Sequence, residues 1–401
     1  MPIFRLSNTF KHYTWGSLGF IPRFLGTTPV KGKPVAEMWM GAHPNASSQI
    51  CIGDDQVSLR EYIQDHPVKT LGKVASQYGK GLPFLLKVLA AAQPLSIQAH
   101  PSLEDAKRGF ERENGLGIPA GSPLRNYKDP NHKPEMICAL TPFKVLCGFR
   151  PYREVAKNFR NSGLASFFSG LDKLEASSSS VDFKSFILKV LNLSGGEKQR
   201  ALKKLELSLQ ENTGLDDDIR QVCLLLQKFY PGDTGLFAPL YLNVFNLDPG
   251  EALYLDAGVM HSYLEGAGIE IMANSDNVLR GGLTSKHIDL DELASILDFS
   301  PFEGGILNPT TQDSRMSVYA SRAREFTLRR LDLESGSPYQ LETDNLPVIL
   351  LSENSSLQLS WDGAAKTILR GESAFITADT GSVWLEGECR VWLASVPDPQ
   401  N

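Results

Sequence analysis

The chain has 401 residues, more than one ordinary hydrophobic core accommodates, so two or three domains are expected. With 42% hydrophobic and 21% charged residues it has a globular profile, and a net charge of −6 argues against a general nucleic-acid binder, which shows a basic stripe. Its five cysteines, Cys51, Cys138, Cys147, Cys223 and Cys389, are odd in number, widely spaced and without a CxxC pair, which speaks against a disulfide framework or a cysteine-rich zinc site.

In chain order, "MPIFRLSNTFKHYTW" lacks the apolar core of a signal peptide, and no apolar run approaches the roughly 20 residues that span a bilayer. A cytoplasmic protein with no membrane partner is expected. Residues 1–150 read mainly as strands and turns, with a helix or two between. The apolar run Phe84–Ala92 leads into "PLSIQAHP" (94–101). As a strand, this places Leu95, Ile97 and Ala99 on one face and Ser96, Gln98 and His100 on the other. "NGLGIPAGSPLRNYKDPNHKP" (114–134) is a long Gly-, Pro- and Asn-rich loop, a kind that is usually functional, and "PEMICAL" is a strand.

After Pro151 the texture turns helical, over Tyr152–Phe159, Phe183–Leu191, Glu197–Glu211 and Asp216–Phe229. "SSSS" (177–180) and "SGG" (194–196) separate these segments, and 151–235 is expected to be an all-α insert. Strands return with "LYLNVFNLDPGEALYLDAGVMHSYLEG", followed by a short helix over Leu290–Leu297. From 311 onward short strands predict a small all-β sandwich or barrel. "GESAFITADTGSVWLEG" echoes "GEALYLDAGVMHSYLEG" and suggests two related β-domains.

Three segments hold candidate metal ligands. Gln98 and His100, two apart on a strand, lie about 6.5–7 Å apart and point the same way, so both can reach one ion; a solvated polar face has the same pattern. Glu135 follows Pro134 at a strand start, where a carboxylate either neutralises part of a divalent charge or is merely exposed. His261 sits in a turn between apolar strands. Among the other histidines, His12 and His66 read as surface or loop, His43 as a turn, and His287 as open, while His132 adjoins Lys133 on the way to Glu135. "RGGLTSK" (280–286) lacks the spacing of a phosphate-binding P-loop.

Taken together, "PLSIQAHP", "NYKDPNHKPEM" and "MANSDNVLRGGLTSKHID" resemble the signature stretches of the type I phosphomannose isomerase family, as do "AEMWMGAHP" and "LPFLLKVL". The resemblance covers essentially the whole chain. It implies a mainly β protein with an all-α insert: a cupin-type jelly-roll catalytic domain (1–150 plus 236–310), the helical domain (151–235) and a second cupin-like β-domain (311–401). It implies one zinc ion per chain on Gln98, His100, Glu135 and His261, and a catalytic arginine at Arg280. One departure is Met260-His261-Ser262-Tyr263, where bacterial members carry Pro-His-Ala-Tyr.

The implied reaction interconverts mannose 6-phosphate and fructose 6-phosphate by proton transfer through an enediolate, supplying mannose phosphates for GDP-mannose and glycan synthesis. The substrate partner is then a phosphorylated hexose and the chain a monomer. Glu270 is the first choice of base, ahead of Lys133 and Asp276, with Lys133 and His132 assisting ring opening. Arg280 and Lys286 are the candidate phosphate cations, with Lys87, Ser96 and Tyr263 as further substrate contacts. The rival readings are an iron oxygenase, which uses two His and one carboxylate, and a sugar-phosphate sensor without turnover.

Overall fold

The computed structural model describes residues 3–176, 179–211 and 214–398. Its N-terminal β-unit is an 11-stranded curved sheet built around one long strand, His261–Ala273. The first part of that strand pairs with Phe143–Phe149. From Gly266 on, it pairs on one side with Phe84–Ala91 and on the other with Glu135–Ala139. The switch of partners occurs at Gly266, whose φ is +129°. A Cβ there would lie 2.7 Å from the Pro142 carbonyl oxygen, so only glycine lets the two strands come this close.

The helical insert runs through Tyr152–Asn161, Leu171–Ala176, Ser180–Leu191, Gly195–Glu211 and Asp217–Phe229. Ser179 caps the third of these through the Asp182 N–H, whereas Ser177 and Ser178 lie outside the described residues. Val155, Phe159, Phe183, Ile187 and Val222 form one buried cluster with Ile97, Ala99, Leu146 and Leu279 of the sheet. Ile97 and Ala99 therefore do pack outward. Leu95 does not share their face: the strand is only Ile97–Ala99, and Leu95 packs with the Tyr263 cluster instead. The first 150 residues also hold more helix than the one or two elements expected, including Leu103–Gly115, whose Ser102 cap accepts the Asp105 N–H at 3.1 Å.

The C-terminal unit packs a seven-stranded sheet on a four-stranded one. Its edge strand comes from the other end of the chain: Ile3–Arg5 pairs with Ser373–Ile376 and so is hydrogen-bonded into this sheet. The two units share a buried face, with Met40, Leu86 and Ile269 against Phe326, Phe375 and Trp392. Among the described residues, no helix is long and apolar enough to cross a membrane.

The sequence echo has a structural counterpart. The Gly250 and Gly371 N–H groups donate to Ala139 and Ser352 carbonyls, both at 2.8 Å. Glu251 and Glu372 each accept the N–H three residues earlier, at 2.8 and 2.9 Å. Carrying this match along the strands puts Val348 at the place of Glu135 and Ser382 at that of His261. The second unit repeats the frame without these two polar groups.

Candidate metal centre

The sheet brings the separated motifs together. His261 stands in register with Gln98, and Arg280 pairs with Gln98 from the other side, on the strand Leu279–Gly282. Glu135 opens the strand beside Met272. As a result the ligand-bearing atoms of His100, Glu135 and His261 lie within 4.8 Å of one another, all three residues being buried. Glu135 Oε2 is 3.4 Å from both imidazole Nε2 atoms, and the Gln98 amide is 3.4 Å from His261 Nε2.

The histidines are oriented from behind. His100 Nδ1 faces the Asn277 carbonyl at 2.7 Å and His261 Nδ1 the Val259 carbonyl at 2.9 Å, which turns each Nε2 lone pair inward. Burial lowers the His100 pKa to about 4 despite Glu135 nearby, so the ring is neutral at physiological pH. Burial alone would raise Glu135, but Lys133 and the two imidazoles hold it well below the usual carboxylate range. His100 Nε2 and Glu135 Oε2 are buried yet make no hydrogen bond. Two orphaned lone pairs facing one point, from neutral imidazole and a carboxylate, suit a divalent cation.

Around this cluster lies a ring of buried charge. Lys133 Nζ is 2.8 Å from Glu135 Oε1. Trp39, Lys87 and Glu270 lie abreast on three neighbouring strands. Lys87, expected as a substrate contact, bonds Glu270 at 2.8 Å and approaches Glu37 at 3.6 Å, so its charge is matched inside the sheet. Those two carboxylates raise the Lys87 pKa against the effect of burial. Glu270 is raised by burial, with Glu135 and Glu37 adding to it and Lys87 opposing. Tyr263 is buried beside His261, and its hydroxyl makes no hydrogen bond.

Arg280, Lys286 and Asp276 line one cavity of about 880 Å³, together with His43, Asn45, Lys128 and His287. Burial lowers the Arg280 pKa with no acid acting on it; burial, Arg280 and Lys128 lower Lys286. Asp276 accepts from Asn45 at 2.5 Å and is 3.7 Å from His43. His43 ends the buried strand Glu37–His43, directly before the expected turn at Pro44–Asn45, and burial lowers its pKa to about 4.

Two expected residues lie elsewhere. His132 turns to Glu325 of the C-terminal unit, at 2.9 Å, because that carboxylate reaches across to it. Ser96 is half-buried ahead of the strand, which begins only at Ile97. The expected functional loop does border the cavity, and Asn277 ties it down: its Oδ1 accepts the Lys128 and Asp129 N–H groups, while its carbonyl meets His100. Asn277, Glu37 and Trp39 escaped the sequence reading. Glu37 was signalled only as a charge opening the buried strand "EMWMGAH".

A curved double-faced β-unit that gathers two histidines and a carboxylate around one point defines the class as a cupin-type metalloenzyme. The model "Phosphomannose isomerase type I, catalytic domain" matches residues 3–152, and the model of the helical insertion domain of the same family matches residues 163–242. The chain is 39% identical over 397 residues to the mannose-6-phosphate isomerase of Escherichia coli (strain K12), covering 96% of this chain and 98% of that one. With the Homo sapiens mannose-6-phosphate isomerase the identity is 33% over 383 residues, covering 88% of each. A solved variant of phosphomannose isomerase from Salmonella typhimurium superposes with a TM-score of 0.93 at 35% identity, over 99% of this chain and 100% of that one. A zinc-bound holo mannose 6-phosphate isomerase gives 0.91 at 36%, with the same coverage. The chain belongs to the type I phosphomannose isomerase family.

Proposed function

We propose that the protein is a zinc-dependent aldose–ketose isomerase interconverting mannose 6-phosphate and fructose 6-phosphate. The observation that carries this reading is the convergence of His100, Glu135 and His261 on one point beside a cavity lined by Arg280 and Lys286. Those three residues and the Gln98 amide oxygen would hold one zinc ion. When bound, zinc supplies a Lewis acid for negative charge on the sugar oxygens.

The chain's own groups do the rest. Lys286 and Lys128 hold the phosphate as point charges at the open side of the cavity. Arg280, fixed in register with Gln98, faces the oxygens on which negative charge develops. Glu270 takes the proton from C2 of the opened aldose and returns it at C1, by way of an enediolate. Its raised pKa brings it toward neutrality, where a general base works best, and the Lys87 ammonium holds it in place. Lys133 carries the proton that opens the ring. Turnover in this direction draws on mannose 6-phosphate, and the reverse supplies it to glycan synthesis.

A coupled assay for fructose 6-phosphate, run with metal analysis, tests the proposal. The expected result is one zinc per chain together with turnover of mannose 6-phosphate. Active protein without zinc, or Glu135→Ala with full activity, would refute the site.

A further inference from the structure

Arg280 and Lys286 sit on one short segment, and the turn between them is unusual. Leu283 has φ +52° and is buried, a left-handed backbone that is strained for a residue with a Cβ. What holds it there comes from the helical insert. Asp233, in "PGDTG", accepts the Gly235 N–H at 2.7 Å, as an ordinary cap of the turn Thr234–Phe237. The same carboxylate also reaches across to the Leu283 N–H at 3.0 Å and the Thr284 N–H at 3.4 Å. The Thr284 hydroxyl in turn accepts the Lys286 N–H at 3.1 Å. The contact is tight: a Cβ on Gly235 would meet the Leu283 side chain at 2.8 Å, and one on Gly282 would approach Gly235 Cα at 3.1 Å.

We infer that Asp233 is a positioning residue for the phosphate end of the site: by fixing the left-handed turn at Leu283, the helical insert sets where Lys286 stands. Arg280 is held independently, by its strand pairing with Gln98, and that ladder breaks register between Arg280 and Gly282. From Leu283 the chain leaves this strand, and the Asp233 carboxylate accepts the N–H groups of its first two residues, Leu283 and Thr284. Loss of the link therefore acts on phosphate affinity more than on turnover. This deepens the proposed function and rests on its assignment of Lys286 to the phosphate.

Asp233→Ser separates the two roles. A serine hydroxyl still caps its own turn but is too short to span to Leu283 and Thr284. Asp233→Ala loses both, and Lys286→Ala serves as the control. For Asp233→Ser we expect KM for mannose 6-phosphate and the inhibition constant of inorganic phosphate to rise together by about tenfold, with kcat changed by less than about threefold. Bound zinc should stay at the wild-type level. Should Asp233→Ala not fold, Asp233→Ser carries the test. Wild-type KM and inhibition constant in Asp233→Ser, with both raised in Lys286→Ala, would overturn the positioning role and leave the phosphate reading intact. No effect of Lys286→Ala on inorganic phosphate would overturn the phosphate reading, and this inference with it.

Discussion

Glu135 serves three neighbours with one carboxylate: Oε2 faces both imidazoles and Oε1 takes the Lys133 ammonium. Neutralising it as Glu135→Gln leaves Lys133 buried beside a neutral amide and removes the only anion among the proposed ligands. Zinc content should fall well below one per chain and activity by at least about 100-fold. Arg280 acts differently, since it borders the cluster without belonging to it. Arg280→Ala is expected to lose about 10²–10³ in kcat while retaining zinc, and metal loss in that variant would place Arg280 among the groups that build the ion site. Lys286 offers a pH test. Its pKa lies below the usual 10.5, through burial and then the neighbouring Arg280 and Lys128, and in the proposed function its ammonium is the form that binds phosphate. KM should therefore rise along an alkaline limb that begins below pH 10.5, and Lys286→Arg should remove that limb.

At the scale of elements, the segment Asn131–Glu135 is held from both sides. Ser275 and Asn277 bond its Asn131 carbonyl, and Glu325 of the C-terminal unit bonds His132. The second β-unit, which lacks the ligand residues in its own frame, thus touches the catalytic unit next to Lys133. Glu325→Gln should lower kcat/KM by about threefold to tenfold, the scale of one weakened hydrogen bond. Burial pushes the Glu325 pKa up, but the bonds from His132 more than offset this and hold it below 4.5. A carboxylate depressed on folding adds stability above its unfolded value, and that stability is lost as pH falls through the folded one. The gap in unfolding midpoint between wild type and Glu325→Gln should therefore shrink as the pH drops from neutrality to below 4.5. A gap independent of pH would show that the carboxylate charge adds nothing.

For the whole molecule, the metal is expected to act as part of the core. Without it, buried lone pairs on His100 and Glu135 face one another unsatisfied, each costing about 1–3 kcal/mol. A ligand present at about 1,000 times its dissociation constant adds about 4 kcal/mol of stability. Chelation should lower the thermal midpoint by several degrees and abolish turnover, and zinc should restore both. The units offer little freedom to absorb the change, since they share a buried face and the N-terminal strand is an edge of the C-terminal sheet.

Alternation and spacing in "PLSIQAHP" by themselves put Gln98 and His100 within reach of one ion, and helical periodicity marked out the insert. The run of short strands after residue 311 located the second β-unit, because strand alternation and its turns are local. Which face of the strand was inner, however, depended on what covered the other: Ile97 and Ala99 are buried by helices that start more than 50 residues later. The pairing of Lys87 with Glu270, the capture of His132 by Glu325 and the reach of Asp233 to Leu283 join residues 183, 193 and 50 positions apart. No local pattern encodes such contacts. A charged side chain reads the same in sequence whether it meets solvent, substrate or an opposite charge, and only the packing of the sheet and insert decided between them.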